Sequence, residues 1–351
     1  MRVLSYVDLA GPLKRSGIAT AVDHHRKALA DQPVEVLTDG VTADRLGRIV
    51  TGRRPDVDLI HTHLFGPGSI ALRALARRTD VPMVCHAHVT REDFRGSFRG
   101  SNLLAEPLGW YLRRWYDAGD LVLAPSAYTR DVLRSYPVEA PIAVVSNGVD
   151  LASLRGFEDL RGPYRDRYDL SGTVVFAVGN VFERKGLSTF CRVAERRPDL
   201  EFVWFGRYDT GPLASPEVRR WTRDPPANVT FTGWIDDKRG AFGAGDIFFF
   251  PTHEENQGIV VLEAMACGRP VVLRDIPVVD EYTTDGDDCL RASDLDGFVT
   301  AIDRLADDPS LAERVGERAR ERATAHRLEA VGEDLHRVYR RVVGAHATET
   351  T

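Results

Sequence analysis

Short apolar runs without polar alternation recur along the whole chain, separated by longer stretches whose apolar positions repeat with helical period. Runs of that kind suit strands covered on both faces, and the helical stretches supply the crossovers that parallel strands need. The pattern predicts strands at Val3–Val7, Val34–Leu37, Leu59–Thr62, Met83–Cys85, Leu121–Ala124 and Ile142–Val145 in the first half. In the second half it predicts Val174–Val178, Phe202–Phe205, Val229–Thr232, Ile247–Phe250 and Val271–Leu273. Between the two sets Gly148–Gly172 is polar, turn-rich and weakly periodic. The expected organisation is α/β, with a domain over 1–150, a linker over 151–172, a second domain over 173–325 and a helix over 326–344. Leu335, Val338, Tyr339 and Val342 give that last helix an apolar face for packing back on the first domain, and the tail Ala345–Thr351 is expected to be disordered. Open parallel sheets bind ligands beyond the carboxyl ends of their strands, so two such domains facing one another would make a crevice.

Composition narrows the class. A chain of 351 residues is comfortable for two α/β domains. No apolar run approaches the roughly 20 residues that cross a bilayer, and MRVLSYVDLAG turns polar too soon for a secretory leader; a cytoplasmic protein is expected. A net charge of −6 argues against a nucleic-acid partner, which needs a basic footprint. Cys85, Cys191, Cys267 and Cys289 form no CxxC pair, which points to buried free thiols. Positive charge is nearly all arginine, with lysine only at Lys14, Lys27, Lys185 and Lys238.

The richest stretch is Pro251–Tyr282, PTHEENQGIVVLEAMACGRPVVLRDIPVVDEY. It reads as the end of a buried strand, a loop with glutamates, and a helix opening near Gly258. A helix that starts just after a strand turns unpaired N–H groups and the positive end of its dipole toward whatever lies above the sheet, which suits phosphate. Glu255 precedes the helix and Glu263 lies inside it, so two carboxylates are spread along one extended ligand such as a nucleotide sugar. Two solvated glutamates are the plainer reading of that spacing taken alone. His61-Thr62-His63 and His86-Ala87-His88 each end a predicted strand, where residues two apart share a face. Four imidazoles there can converge on a metal, but no Cys or carboxylate completes a ligand set in the neighbouring sequence. Asp294-Leu295-Asp296 opens a late helix and reads as its cap rather than as a metal motif. No metal is therefore expected.

The spacing of Glu255 and Glu263 resembles the E-x7-E signature of the retaining glycosyltransferases of family 4, whose architecture is the two-domain GT-B fold of Rossmann-like domains. The resemblance implies that Glu255 contacts the transferred sugar and Glu263 the ribose, while the amides of Gln257, Gly258 and Ile259 cradle the diphosphate. The usual Gly-Phe-Gly after the first glutamate is here Asn256-Gln257-Gly258, so the sugar pocket is expected to differ. By the same resemblance Ser16-Gly17 opens a glycine loop with Gly17 beside the donor phosphate, and His88, six residues after Pro82, is the histidine beside the sugar. Asn147-Gly148-Val149-Asp150 resembles the turn that closes the first domain. Arg184-Lys185-Gly186 falls where the family holds two cations against the diphosphate, although the position directly after the strand glycine, arginine in many relatives, is Asn180. Gly206, and Gly233 with Trp234, resemble the base-binding loops.

Two further segments, HAHVTREDFRGSF and Arg274-Asp275-Ile276-Pro277, resemble the branch that places hexoses on diacylglycerol. Trp110, Arg113 and Arg114 lie off the apolar stripe of the helix expected after Pro107 and offer a contact with a membrane surface. The resemblance thus implies a metal-independent hexosyltransferase with a UDP-hexose as co-substrate, no other cofactor, and a glycerolipid or glycolipid acceptor at the inner face of the cell membrane. A polysaccharide or protein-linked glycan is the alternative acceptor. A nucleotide-sugar epimerase and a non-catalytic binding subunit are the alternatives of another class.

Overall fold

The structure is a computed structural model describing residues 1–8, 15–38, 51, 53 and 55–349. The chain forms two compact units. The first comprises Met1–Arg91, Glu106–Gly148 and Leu328–Thr351; the second comprises Glu92–Ala105 and Val149–Arg327.

The first unit is built on strands β1 (Arg2–Tyr6), β2 (Glu35–Leu37), β3 (Leu59–Thr62), β4 (Met83–His86), β5 (Leu121–Ala124) and β6 (Ile142–Val144). They form one parallel sheet in the order β2-β1-β3-β4-β5-β6, with Ser5 opposite His61 and His61 opposite Val84. The order reverses between β1 and β3, so ligand chemistry is expected in the loops beyond those strands and their neighbour β4. Leu335, Val338, Tyr339 and Val342 of the helix Leu328–Glu349 are buried in one cluster with Val3, Leu59, Val84 and Leu123 of this sheet.

The second unit carries β7 (Val174–Val178), β8 (Glu201–Phe205), β9 (Val229–Gly233), β10 (Ile247–Phe250), β11 (Val271–Arg274) and β12 (Leu290–Ala292), again all parallel, in the order β12-β11-β10-β7-β8-β9. The topological switch lies between β7 and β10. Phe190, on the helix Leu187–Arg196, packs its ring 5.0 Å from Trp204, 5.5 Å from Phe202 and 5.8 Å from Phe249. Emptying such a fully buried aromatic site costs about 3–5 kcal/mol, so this packing fixes the helix that starts directly after the loop from β7.

The α/β class and the parallel sheets agree with the sequence pattern, and four details differ. β12 carries no apolar run; it is a short edge strand whose Arg291 donates to the carbonyl of Thr283 at 2.6 Å. Within 151–172 a helix spans Arg161–Tyr168, held to the second unit by Arg161 and Arg165 on Asp246 at 2.7 and 3.3 Å. Ion pairs rather than an apolar stripe seat it, which is why no periodicity marks it. The helix expected after Pro107 starts earlier and spans Ser101–Tyr116. Pro107 has no N–H for the carbonyl of Leu103, and Leu103 lies on the exposed side of the helix. Finally, the last helix continues through Ala345 to Glu349, where disorder was expected. Thr350 and Thr351 lie outside the described residues, as does most of the expected glycine loop, Leu9–Lys14. Among the described residues no helix is long and apolar enough to cross a membrane.

Candidate active site

The loops after β7 and β10 meet at the switch of the second sheet. Gly186 allows this: its φ is +78°, and a side chain there would collide with the carbonyl of Pro251. The two loops are also joined through Arg184, whose carbonyl accepts from the His253 amide at 2.8 Å and from Thr252 Oγ1 at 3.3 Å. Lys185 is thereby set against Glu255, with its Nζ donating to Glu255 Oε2 and lying 5.1 Å from the Phe250 ring centre. The Asn256 amide donates to Glu255 Oε1 at 3.2 Å. Burial pushes the Glu255 carboxyl up, but the charges of Lys185 and Arg184 outweigh it and hold the group below its ordinary value.

Arg184 is engaged on several sides. Its Nη1 lies 2.8 Å from Asp93 Oδ1 and donates to the Glu254 carbonyl at 3.3 Å, and its Nε donates to Ser97 Oγ at 3.0 Å. Its amide donates to the Gly96 carbonyl at 3.2 Å. Burial raises the Asp93 carboxyl despite the opposing charge of Arg184. Arg184 and Lys185 are thus each set against a carboxylate, Asp93 and Glu255 respectively.

Gly258 caps the helix Ile259–Ala266 with a φ of +82°, a left-handed conformation that turns the chain sharply from loop to helix. The amides at the start of this helix have no carbonyl one turn back. Asn256 and Gln257, just before it, are buried. Glu263, one turn in, is 4% exposed, and its Oε1 accepts from Lys238 Nζ. Gly206 follows β8 and pairs with Gly233, its amide donating to the Gly233 carbonyl at 3.0 Å. Trp234 is 42% exposed, so it is not a core residue.

Of the residues singled out from sequence, Arg184, Lys185, Glu255, Asn256, Gln257, Gly258, Ile259, Glu263, Gly206 and Trp234 lie in the second unit. Gly17 and His88 lie in the first. Gly17 is the first residue of the helix Gly17–Ala28, where Ser16 Oγ accepts from the Ala19 amide at 3.4 Å. His88 is buried, its Nε2 3.0 Å from His63 Nδ1 and its ring stacked 3.8 Å from that of His86. Burial, then the charge of His25, pushes it down to about 3, so the ring is neutral at pH 7. His61 Nδ1 lies 2.7 Å from the Tyr339 hydroxyl.

Sequence reasoning gave no role to Asp93, Ser97 or Lys238. The acidic pair inside REDFRG was a signal for the first, and the scarcity of lysine was a signal for the last.

Residues 172–308 match the family of "Glycosyl transferases group 1", and residues 42–153 match "Glycosyltransferase Family 4". The chain is 31% identical to the processive diacylglycerol alpha-glucosyltransferase of Acholeplasma laidlawii, covering 98% of this chain and 99% of that protein. It is 29% identical to the phosphatidyl-myo-inositol mannosyltransferase of Mycolicibacterium smegmatis, covering 83% and 72% respectively. The fold is that of HepE from Anabaena, solved in complex with UDP and glucose, with a TM-score of 0.78 over 96% of this chain and 99% of that one at 17% identity. Two Rossmann-like parallel units, the GT-B fold, are thus present. The 31% identity to the Acholeplasma laidlawii glucosyltransferase along nearly its whole length, together with both family matches, places the chain in glycosyltransferase family 4.

Proposed function

We propose that this chain moves a hexose from a UDP-hexose, with retention at the anomeric carbon, to a membrane glycerolipid or glycolipid. The observation that carries the reading is the contact of Lys185 with Glu255 at the switch point of the second sheet. Its acceptor side is supported by the likeness to a diacylglycerol glucosyltransferase over almost the entire chain.

In this reading the bond between the anomeric carbon and the diphosphate oxygen breaks while a bond to the acceptor oxygen forms on the same face. The acceptor's proton passes to the departing phosphate oxygen, so no separate general base is assigned. Lys185, Arg184 and the amides of Gln257, Gly258 and Ile259 stabilise the charge developing on the leaving group; preorganised donors of this kind are worth several kcal/mol, about 2.7–4 for a single one. No divalent ion is needed for that task. Glu255 and Asn256 take hydroxyls of the hexose, Glu263 takes the ribose, and Gly206 and Trp234 flank the base. Gly17 lies at the donor phosphate, and the role of His88 is a hydrogen bond to the sugar from a neutral ring. The chain acts at the cytoplasmic face of the membrane as a peripheral protein, with Trp110, Arg113 and Arg114 at the surface.

The test is transfer of label from UDP-glucose or UDP-galactose in the presence and absence of diacylglycerol vesicles, with the product anomer read by NMR. Label entering the organic phase as an α-glycoside supports the proposal. Label in a water-soluble glycan moves the acceptor, and an altered sugar nucleotide without transfer overturns the reading.

A further inference from the structure

We propose that His25, His63 and His86 form a binding site for a borderline transition-metal dication, with Zn2+ as the natural occupant. The three residues come from separate elements of the first unit: His25 from the helix Gly17–Ala28, His63 from the turn after β3, and His86 from the end of β4. One ring nitrogen from each lies within 4.8 Å of the others. All three side chains are buried, at 3%, 1% and 2% exposure.

Hydrogen bonding makes the case for a ligand. Both ring nitrogens of His25 and of His86 are buried without a hydrogen-bond partner among the described residues. The approach of His25 to the Ser146 backbone falls short of hydrogen-bond geometry. A buried polar atom left unsatisfied costs about 1–3 kcal/mol, and nearly all such groups in folded proteins find a partner. Ring contact accounts for the proximity of these imidazoles, since His25 and His86 lie 4.9 Å apart between centres with their planes tilted by 44°, but it satisfies none of their nitrogens. A metal bound to the one lone-pair nitrogen of each ring satisfies that nitrogen and leaves the other as the N–H.

The surroundings suit ligation. His63 is held by Ser5 Oγ at 3.0 Å through Nε2 and by His88 Nε2 at 3.0 Å through Nδ1, so it exchanges one of these contacts for the metal and keeps the other as an orienting bond. His61 is oriented by Tyr339 through Nδ1 and stands outside the three-histidine group, so a water completes the four-coordinate site. Neutral imidazoles select zinc and its neighbours over magnesium or calcium, which demand oxygen. Nitrogens bound to zinc at 2.0–2.1 Å in tetrahedral geometry sit about 3.3 Å apart, so the cluster tightens on binding by side-chain rotation. Sequence reasoning stopped at two His-x-His pairs because the completing ligand, His25, stands in another element.

The experiment uses the full chain without an affinity tag, stripped over chelating resin and titrated with Zn2+ against a chromogenic chelator and with Co2+ by visible absorption. It reads metal rather than transfer, so its outcome is independent of the reaction assigned above. Expected are one equivalent of zinc per chain, the d–d bands of four-coordinate cobalt, and affinity at least ~100-fold weaker in His25→Ala and in His86→Ala. His336→Ala, on the C-terminal helix, keeps the site. A cobalt spectrum of the wild-type chain with only the weak bands of the six-coordinate ion, or zinc binding unchanged in both variants, overturns the proposal. Because the cobalt spectrum is read on the wild-type protein, the result stands even where a variant fails to fold.

Discussion

Lys238 Nζ donates to Glu263 Oε1, joining the segment after β9 to the buried carboxylate inside the helix Ile259–Ala266. Lys238 is 37% exposed and Glu263 4%, so removing the lysine strands a buried charge only on the glutamate side. Breaking a fully buried pair costs about 3–5 kcal/mol, and exposure of the lysine discounts this to about 1–2 kcal/mol. In the proposed reading Glu263 holds the ribose, a contact equal in the ground and transition states, so its loss appears in binding rather than turnover. Lys238→Ala is expected to raise the donor KM roughly ten-fold with kcat nearly unchanged. Steady-state kinetics with varied UDP-hexose decides it, and an unchanged KM would show that Glu263 needs no such support.

The titration of Glu255 should depend on the charge of Lys185. Burial raises the carboxyl, and the charge of Lys185, then that of Arg184, brings it below the ordinary value. A depressed carboxylate contributes stability that is present above its unfolded value, near 4.3, and is lost as pH falls through the lower folded one. The acid limb of kcat/KM is therefore expected below pH ~4.3. Lys185→Ala should lower kcat by about 10²–10³-fold and move the limb of the remaining activity to higher pH. A pH–rate profile of both proteins checks this; coincident limbs would mean that the two groups are not coupled.

The second unit shows how much of such a site is written along the chain. Its strands stood out because Val174–Val178 and Ile247–Phe250 are apolar on both faces, and the motif carrying Glu255 and Glu263 follows one of them directly. Lys185 was legible because it lies in the loop after the neighbouring strand. Asp93 and Lys238 were not, because each reaches its partner from a segment distant in sequence, and a charged residue in a one-turn helix or a turn carries no periodic signature. His25 was hidden for a different reason. It shares a helical face with Ala21 and Ile18, and an imidazole on an apolar face reads as core until the strand ends it meets are known.

Asp93 restrains Arg184, and that restraint opposes an incoming anion. The two groups lie 2.8 Å apart, and without donor the four charges of Asp93, Arg184, Lys185 and Glu255 cancel. Asp93→Asn leaves the guanidinium uncompensated and is expected to tighten UDP binding several-fold in calorimetry, since a charge at about 4 Å is worth up to ~4 kcal/mol near a protein surface. Weaker binding would instead give Asp93 a purely orienting role.

The thiols make a simpler prediction. Burial pushes Cys85 and Cys267 up to about 12 and Cys289 to about 11, and raises Cys191 as well. The thiolate is the reacting form. The folded chain is expected to resist Ellman's reagent at pH 8 and to release all four equivalents in guanidinium. Rapid reaction of one thiol in the folded chain would mark a local opening.

The proposed membrane contact would separate two neighbouring arginines. Trp110 is 62% exposed, and the Arg114 guanidinium lies 4.6 Å from its ring centre. Arg113 lies 3.7 Å from Asp117 and 3.9 Å from Glu139, whereas Arg114 has no carboxylate partner among the described residues. A basic side chain near an anionic surface contributes about 1 kcal/mol, or roughly five-fold in partitioning, and a charge already facing carboxylates contributes less. Arg114→Ala should therefore weaken binding to vesicles containing phosphatidylglycerol about five-fold, Arg113→Ala less, and Trp110→Ser should weaken it even on neutral vesicles, where only the ring's apolar area counts. Co-sedimentation at two salt concentrations distinguishes the terms, because the arginine effect fades with salt while the tryptophan effect persists. Equal loss in the two arginine variants would mean that the carboxylates beside Arg113 do not shield it, and no loss in any of the three would place the membrane contact elsewhere on the chain.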